Sequence, residues 1–277
     1  MIIKEVIVND YLTKSNLPSS DYVINPYIGC LHGCKYCYAS FMKRFTGHKE
    51  DWGTFIDIKK SDKKINLDKI SKKSVFLSSV TDCYNPIEEE YKITRKILEQ
   101  LVNSDCYLSI STKSKLILRD IDLLQKIKNV TVSVSINTLN EEFKKDMDNA
   151  STIKERLETL KELHKNGIHT VLFMSPIFPY ITEWRDIIEK SKNYVDQYWF
   201  ENLNLRGQYK KDIMDYIAEK YPNYYDRYIE IYIKKKNEYW KNLAKEIDEY
   251  CKNNNIHYVN YFYHDELVKR KKENLES

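Results

Sequence analysis

The chain has 277 residues, 42% of them hydrophobic and 31% charged, with a formal net charge of +4. That composition excludes a disordered or fibrous protein and fits one large globular domain, or one domain with an extension. Six cysteines are too few for a disulfide scaffold, and no apolar run approaches the roughly 20 residues that span a bilayer. The opening MIIKEVIVND lacks the order of a secretory signal, so a soluble cytoplasmic protein without membrane contact is expected. The mildly basic balance permits an anionic partner but does not require one.

Short apolar runs rich in β-branched and aromatic residues predict strands at Tyr22–Asn25, Val75–Ser79, Tyr107–Ser111, Val130–Ile136, Thr170–Met174 and Gln197–Phe200. Helical patterns lie between them. One runs from about Ile87 to Val102, with Tyr91, Ile97, Leu98 and Leu101 on one side, and another follows Arg119. In a further helix Ile153, Leu157, Leu160 and Leu163 recur at helical spacing, Thr152 and Glu155 form a capping box, and Gly167 supplies the stop. The lysine-dense stretch Trp52–Ser74 reads as a solvated connection.

Strand and helix in alternation imply a parallel sheet with crossover helices. Residues 1–206 are expected to form a partial (β/α)6 barrel, with a doubly wound sheet as the alternative. Either places ligands at the C-terminal ends of the strands. After Gly207 the pattern changes to a long amphipathic helix beyond Pro222 and a last strand, Tyr258–Phe262. Residues 207–277 are expected to be a C-terminal helical extension that caps the barrel.

The stretch YIGCLHGCKYCYAS, residues 27–40, places Cys30, Cys34 and Cys37 within eight residues, just after the first predicted strand. Four readings compete. A structural zinc wants four ligands, usually in C-x2-C pairs, and no second pair stands out. A disulfide leaves one thiol over. Three unconnected buried thiols would share their spacing by coincidence. A 4Fe–4S cluster held by three thiolates leaves one iron open, which a catalytic site requires.

C-x3-C-x2-C with Tyr36 before the last cysteine resembles the signature of the radical S-adenosylmethionine (radical SAM) superfamily. NPYIGCLHGCKYCYA resembles the branch that includes spore photoproduct lyase, and further blocks follow in order: SSVTDCYNPIE, STKSKLILRDIDLL, VSVSINT and SPIFPYIT. The resemblance covers roughly Tyr22 to Arg206. It implies a 4Fe–4S cluster on the three cysteines, S-adenosylmethionine on the open iron, an external one-electron donor, and a 5′-deoxyadenosyl radical that takes a hydrogen atom from substrate. The branch suggests a nucleic acid as that substrate. A fainter likeness to radical proteins encoded in pairs implies a second radical SAM protein as partner. The alternative from another class is a non-catalytic iron–sulfur or zinc module that binds nucleic acid.

The resemblance also implies that the cofactor lies across the ends of the second to fourth strands. The second-strand block departs from the common glycine-rich form, but Ser79, Thr81 and Asp82 can receive an ammonium group; Asp82 otherwise caps the following helix. Lys113 is placed to pair with the cofactor carboxylate. Along the fourth strand Val130, Val132, Val134 and Ile136 alternate with polar residues, of which Ser135 and Asn137 lie nearest the ligand end. Tyr36 is expected against the adenine or the cluster. Tyr38 matches a tyrosine that returns a hydrogen atom in the lyases. Their cysteine donor is replaced here by Ser79, with Cys83 four residues on as a displaced candidate. For both tyrosines and for Cys83, core packing is the competing reading. Cys106 and Cys251 look like ordinary apolar cysteines.

Overall fold

The alternation that predicts crossover units is realised in a mixed sheet. The structure is a computed structural model; it describes residues 1–17 and 19–262, and of Gln208 the backbone alone. Its strands are β1 (Ile2–Ile7), β2 (Leu12–Lys14), β3 (Tyr22–Ile24), β4 (Tyr27–Gly29), β5 (Phe55–Lys60), β6 (Ser74–Leu77), β7 (Tyr107–Thr112), β8 (Val130–Ser135), β9 (His169–Ile177), β10 (Gln197–Asn202) and β11 (Tyr258–Asn260). Its α-helices are α1 (Leu67–Ile70), α2 (Glu88–Tyr91), α3 (Ile93–Leu101), α4 (Ile121–Leu124), α5 (Glu141–Met147), α6 (Ile153–Lys165), α7 (Trp184–Ser191), α8 (Gly207–Lys220), α9 (Pro222–Tyr228) and α10 (Glu238–Asn253). None among the described residues is long and apolar enough to cross a membrane.

The six predicted strands are β3, β6, β7, β8, β9 and β10. They lie side by side and parallel, with β11 added beyond β10 and β2 antiparallel at the other edge. This is the partial barrel. Residues from 207 onward therefore contribute a strand as well as helices; residues 263–277 lie outside the described part. A small second sheet, in the order β1-β5-β4, stands beside it.

Register decides the two faces. Leu108, Ile110, Val132, Val134, Leu172, Met174, Tyr198 and Phe200 are buried in the main core. Their neighbours Phe76, Ser109, Ser111, Thr131, Phe173, Ser175, Trp199 and Glu201 line the inner face and are half-buried. A closed barrel would fill this space with packed side chains. Among the described residues the strands do not close, and the inner face stays accessible.

Local signals account for most boundaries. The capping box at Thr152 and Glu155 is present, with Gly167 at φ +75° beyond the end of α6. The predicted helix over Ile87–Val102 is instead two helices, broken at Lys92, which is left-handed at φ +53°. The break has a cause. Buried Glu88 on α2 turns its carboxylate to the first amides of α3, accepting from Thr94 N at 2.9 Å and Arg95 N at 3.3 Å. The stretch Trp52–Ser74 is not only a solvated connection: β5 lies within it, central in the small sheet, with Phe55, Ile56 and Ile58 fully buried. Asp57 obscures that pattern. It is buried because His48 Nε2 meets its Oδ1 at 3.0 Å.

Candidate active site

The cysteine loop leaves β4 at Gly29, so the small sheet, absent from the sequence reading, sets its origin. Gly29 has φ +88°, and a Cβ there would stand 2.5 Å from the Phe55 carbonyl oxygen. Glycine is required by both the dihedral and the close approach. Gly47 has a similar φ of +72° but nothing within 4 Å. Gly29→Ala is thus expected to lower stability by about 1–3 kcal/mol, and by more than Gly47→Ala, in denaturant titrations of the apo-protein. Equal losses would show that the dihedral alone matters.

Beyond Gly29 the loop winds through tight turns, with Gly33 N donating to Cys30 O at 3.4 Å and Cys37 N to Cys34 O at 3.1 Å. Two distant segments clasp it. Lys35 N donates to Met147 O at 2.9 Å, and Asn149 N donates to His32 O at 2.8 Å. Between those two residues sits Asp148, 4% exposed. Its Oδ1 accepts from Arg156 Nη2 at 2.5 Å, and its Oδ2 accepts from the Tyr36 hydroxyl at 3.2 Å. Arg156, 1% exposed, also donates to the Ser135 and Ser151 carbonyls. The Tyr36 ring packs edge-on against Phe178, 5.5 Å between centroids, in a second core shared with α8 and α9. The loop is held from one side by α5 and α6 and from the other by the C-terminal helices.

Asp82 makes the second tie. Its Oδ1 accepts from Thr112 Oγ1 at 2.8 Å and Tyr84 N at 2.9 Å; its Oδ2 accepts from Lys113 N at 2.8 Å. His32 Nε2 stands 3.1 Å from the same Oδ2, outside hydrogen-bond direction, and His32 Nδ1 has no hydrogen-bond partner. One carboxylate thus joins the ends of β6 and β7 to the cysteine loop, and both its oxygens are engaged. Burial alone would raise the Asp82 pKa; His32 and the amides of Lys113 and Tyr84 outweigh it and hold the group below its ordinary value.

The structure gathers most of the predicted residues at one edge. Lys113 Nζ lies 5.7 Å from the Tyr36 ring centroid. Ser79 and Thr81 sit on the loop after β6. Ser79 Oγ accepts from Asn25 Nδ2 at 2.8 Å, and Thr81 Oγ1 donates to Gly29 O at 2.5 Å. The Tyr38 hydroxyl donates to the Ser79 carbonyl while its ring stays exposed. Ser135 and Asn137 are buried at the end of β8, and Asn137 Nδ2 donates to Pro176 O at 3.2 Å. Cys83 follows Asp82 in the same turn but packs inward. It is fully buried in the main core, its amide on Ser78 Oγ and its carbonyl accepting from Thr94 Oγ1.

Residues 24–190 match the family model described as Radical SAM superfamily. The chain belongs to the radical SAM superfamily. An uncharacterized protein of Methanocaldococcus jannaschii is 38% identical over 212 residues, 76% of this chain and 80% of that protein. A radical SAM Nalpha-GlyT isomerase of a Pseudomonas phage is 26% identical, over 61% of this chain and 36% of its own length. Among solved structures, a spore photoproduct lyase variant with bound AdoMet and dinucleoside spore photoproduct superposes at TM-score 0.57. It is 16% identical and covers 79% of this chain and 66% of that one. That likeness shows the fold. Membership of the superfamily makes the chain a radical SAM enzyme and decides against a non-catalytic binding module.

Radical SAM enzymes use an iron–sulfur cluster and S-adenosylmethionine, and the loop suits the cluster. All three cysteines are free thiols. Burial pushes them up, Cys34 to about 12 and Cys30 well above its ordinary value, with Asp82 and the other two cysteines adding to the effect at Cys30. Such thiols ionise readily only against a cation, which cluster irons supply. Among the described residues no three His, Cys, Asp or Glu side chains converge on one ion; thiolates on a cubane bind separate irons instead. The unpartnered Nδ1 of His32, a residue 3% exposed within the loop, also leaves room for a further partner.

Several residues that surround the candidate site were not singled out from the sequence: His32, Asp148, Asn149 and Arg156. Arg156 did leave a signal. It lies on the apolar stripe of α6, three residues after Ile153 and four before Leu160. An arginine at a core position implies a buried acid, here Asp148.

Proposed function

We propose that this radical SAM enzyme holds a 4Fe–4S cluster on Cys30, Cys34 and Cys37 and takes a hydrogen atom from a nucleic-acid substrate lying on the inner face of the barrel. The observation that carries the reading is the meeting of the clasped cysteine loop with Lys113 and the ends of β6, β7 and β8, where the inner face opens. When bound, the cluster and S-adenosylmethionine supply hydrogen-atom abstraction, through one-electron reductive cleavage of the cofactor by an external donor.

The chain's own residues bind and orient. Lys113, its amide fixed by Asp82, offers its ammonium to the cofactor carboxylate. Ser135 and Asn137 line the far side, and Ser79 and Thr81 the near side. Tyr36 acts as a wall and Tyr38 as a lid at the rim, while the clasp keeps water from the loop. Asp82, with both oxygens engaged, acts through the residues it ties. The nucleic-acid class is supported by the dinucleoside bound to the lyase neighbour. It is also supported by Phe173, Trp199 and Tyr261, which meet edge-on across the inner face at centroid distances of 5.6–6.4 Å and offer rings on which a base can stack.

Lys113→Met is expected to weaken S-adenosylmethionine binding by about 1.5–3 kcal/mol, the worth of a charge-assisted hydrogen bond, while iron content is unchanged. Calorimetric titration of reconstituted protein checks this, and an unaltered affinity overturns the role. For the substrate, reconstituted enzyme is incubated with S-adenosylmethionine deuterated at no position and with nucleic acid deuterated on sugar and base. Deuterium in 5′-deoxyadenosine supports the class. Its absence with every nucleic acid, alongside normal cofactor cleavage, overturns it.

A further inference from the structure

The 3₁₀ helix Tyr38–Phe45, which leaves the cysteine loop, carries beyond Tyr38 a surface that the cofactor site described above does not use. Tyr38, Phe41 and Phe45 are 57%, 45% and 66% exposed. Large aromatic side chains grouped in this way on one short segment mark a contact surface. The Arg44 guanidinium lies 4.6 Å from the Phe45 ring centroid and 5.5 Å from that of Phe41. From residue 35 to residue 49 the sequence contains Lys35, Lys43, Arg44 and Lys49 and no aspartate or glutamate. Lys43 pairs with Asp51 at 3.6 Å, so Arg44 is the cation set among the rings, and the helix is aromatic and cationic together.

Its place gives the surface a direction. The Tyr38 hydroxyl pins the start of the helix to the Ser79 carbonyl, on the loop that borders the candidate site. Tyr38 thus stands beside the opening whose floor holds Phe173, Trp199 and Tyr261, and Phe41 and Phe45 follow it on the same short helix. A strand that crossed the rim would reach that floor.

We propose that Tyr38–Phe45 is a stacking platform for a single strand of nucleic acid, with bases beside the reacting nucleotide resting on Phe41 and Phe45 and Arg44 meeting the backbone phosphate. Stacking on aromatic faces with arginine alongside is how single strands are held without sequence readout. An acidic protein would also suit the cations, but it would leave the aromatic floor unexplained. The proposal rests on the nucleic-acid reading above and adds the surface that would recognise the strand.

The test uses fluorescein-labelled oligonucleotides of about 12 nucleotides, DNA and RNA of one sequence, titrated into the reconstituted full chain by anisotropy. Phe41→Ala and Phe45→Ala are each expected to weaken binding about 10-fold or more, and Arg44→Ala to lower the salt slope by about 1. Iron content and thermal midpoint, read in parallel, show that the variants fold. The tighter of the DNA and RNA arms names the strand. If the unaltered enzyme binds but the variants bind equally well, the platform is overturned and the nucleic-acid reading stands. If no oligonucleotide binds, that reading fails and the platform with it. If the variants bind normally but are reduced slowly by a flavodoxin and normally by dithionite, the rim is a docking site for the electron donor and the proposal is wrong.

Discussion

Replacing Cys34 with alanine is expected to abolish S-adenosylmethionine cleavage and to strip most iron from protein reconstituted without oxygen. Cys34 lies at the middle of the C-x3-C-x2-C run, and a cubane that loses one of three thiolates loses a third of its protein bonds. The effect should be specific to ligation. Cys106→Ala removes a thiol that is fully buried in the main core, far from the loop in sequence, and is expected to cost on the order of 1 kcal/mol of packing while iron and cleavage persist. Iron and sulfide assays with chromatography of 5′-deoxyadenosine check both variants. Full iron and normal cleavage in Cys34→Ala would remove the cluster from this loop.

Asp148→Asn should produce the largest loss of stability, about 3–5 kcal/mol, because it leaves the Arg156 guanidinium buried against a neutral amide. The loss should also reach the cluster, since Asp148 holds Tyr36 and its neighbours Met147 and Asn149 hold the loop backbone. A second variant separates the two effects. Lys144, also buried, lies 3.4 Å from Asp148 Oδ1, so Asp148→Leu is combined with Arg156→Met and Lys144→Met; with all three charges removed, much of the stability is expected to return but not the Tyr36 hydrogen bond, so iron retention stays impaired. If iron retention recovers with stability, the clasp has no role beyond folding.

The same pair sets an acid limit. Burial alone would raise the Asp148 pKa, but Arg156, Lys113 and Lys144 hold it below its ordinary value of 3.8. A carboxyl whose folded pKa is depressed stabilises the fold fully above its unfolded value and loses that contribution as pH falls through the folded one. Asp82 is depressed likewise. Apo-protein stability is therefore expected to fall as pH drops from about 4 downward, with a shallower slope in Asp148→Asn. Identical slopes would show that Asp148 gains nothing from ionisation.

Much of this was legible without the structure, because it is local. Three thiols within eight residues lie on one loop in any fold. Alternation along Val130–Ile136 assigns faces by geometry alone, since successive strand residues point opposite ways. The capping box of α6 closes over four residues. From such signals the sequence by itself determined the cysteine loop, the crossover rhythm and the open inner face with its polar row.

The tertiary structure decided whatever depends on who meets whom. Tyr36 and Asp148 are 112 positions apart, and no periodicity links them. Whether Asp82 meets a ligand or its own chain depends on where the Thr112 hydroxyl, the Lys113 amide and His32 arrive, and they arrive at its oxygens. Cys83 follows Asp82 directly, yet the turn after β6 sends its thiol into the core. β5 stayed hidden because a buried hydrogen-bonded contact with His48 placed an aspartate where a strand pattern calls for an apolar residue. Each case has the same physical basis. A polar group can be buried only when a partner meets it, and the partner is supplied by folding, not by neighbours in the chain.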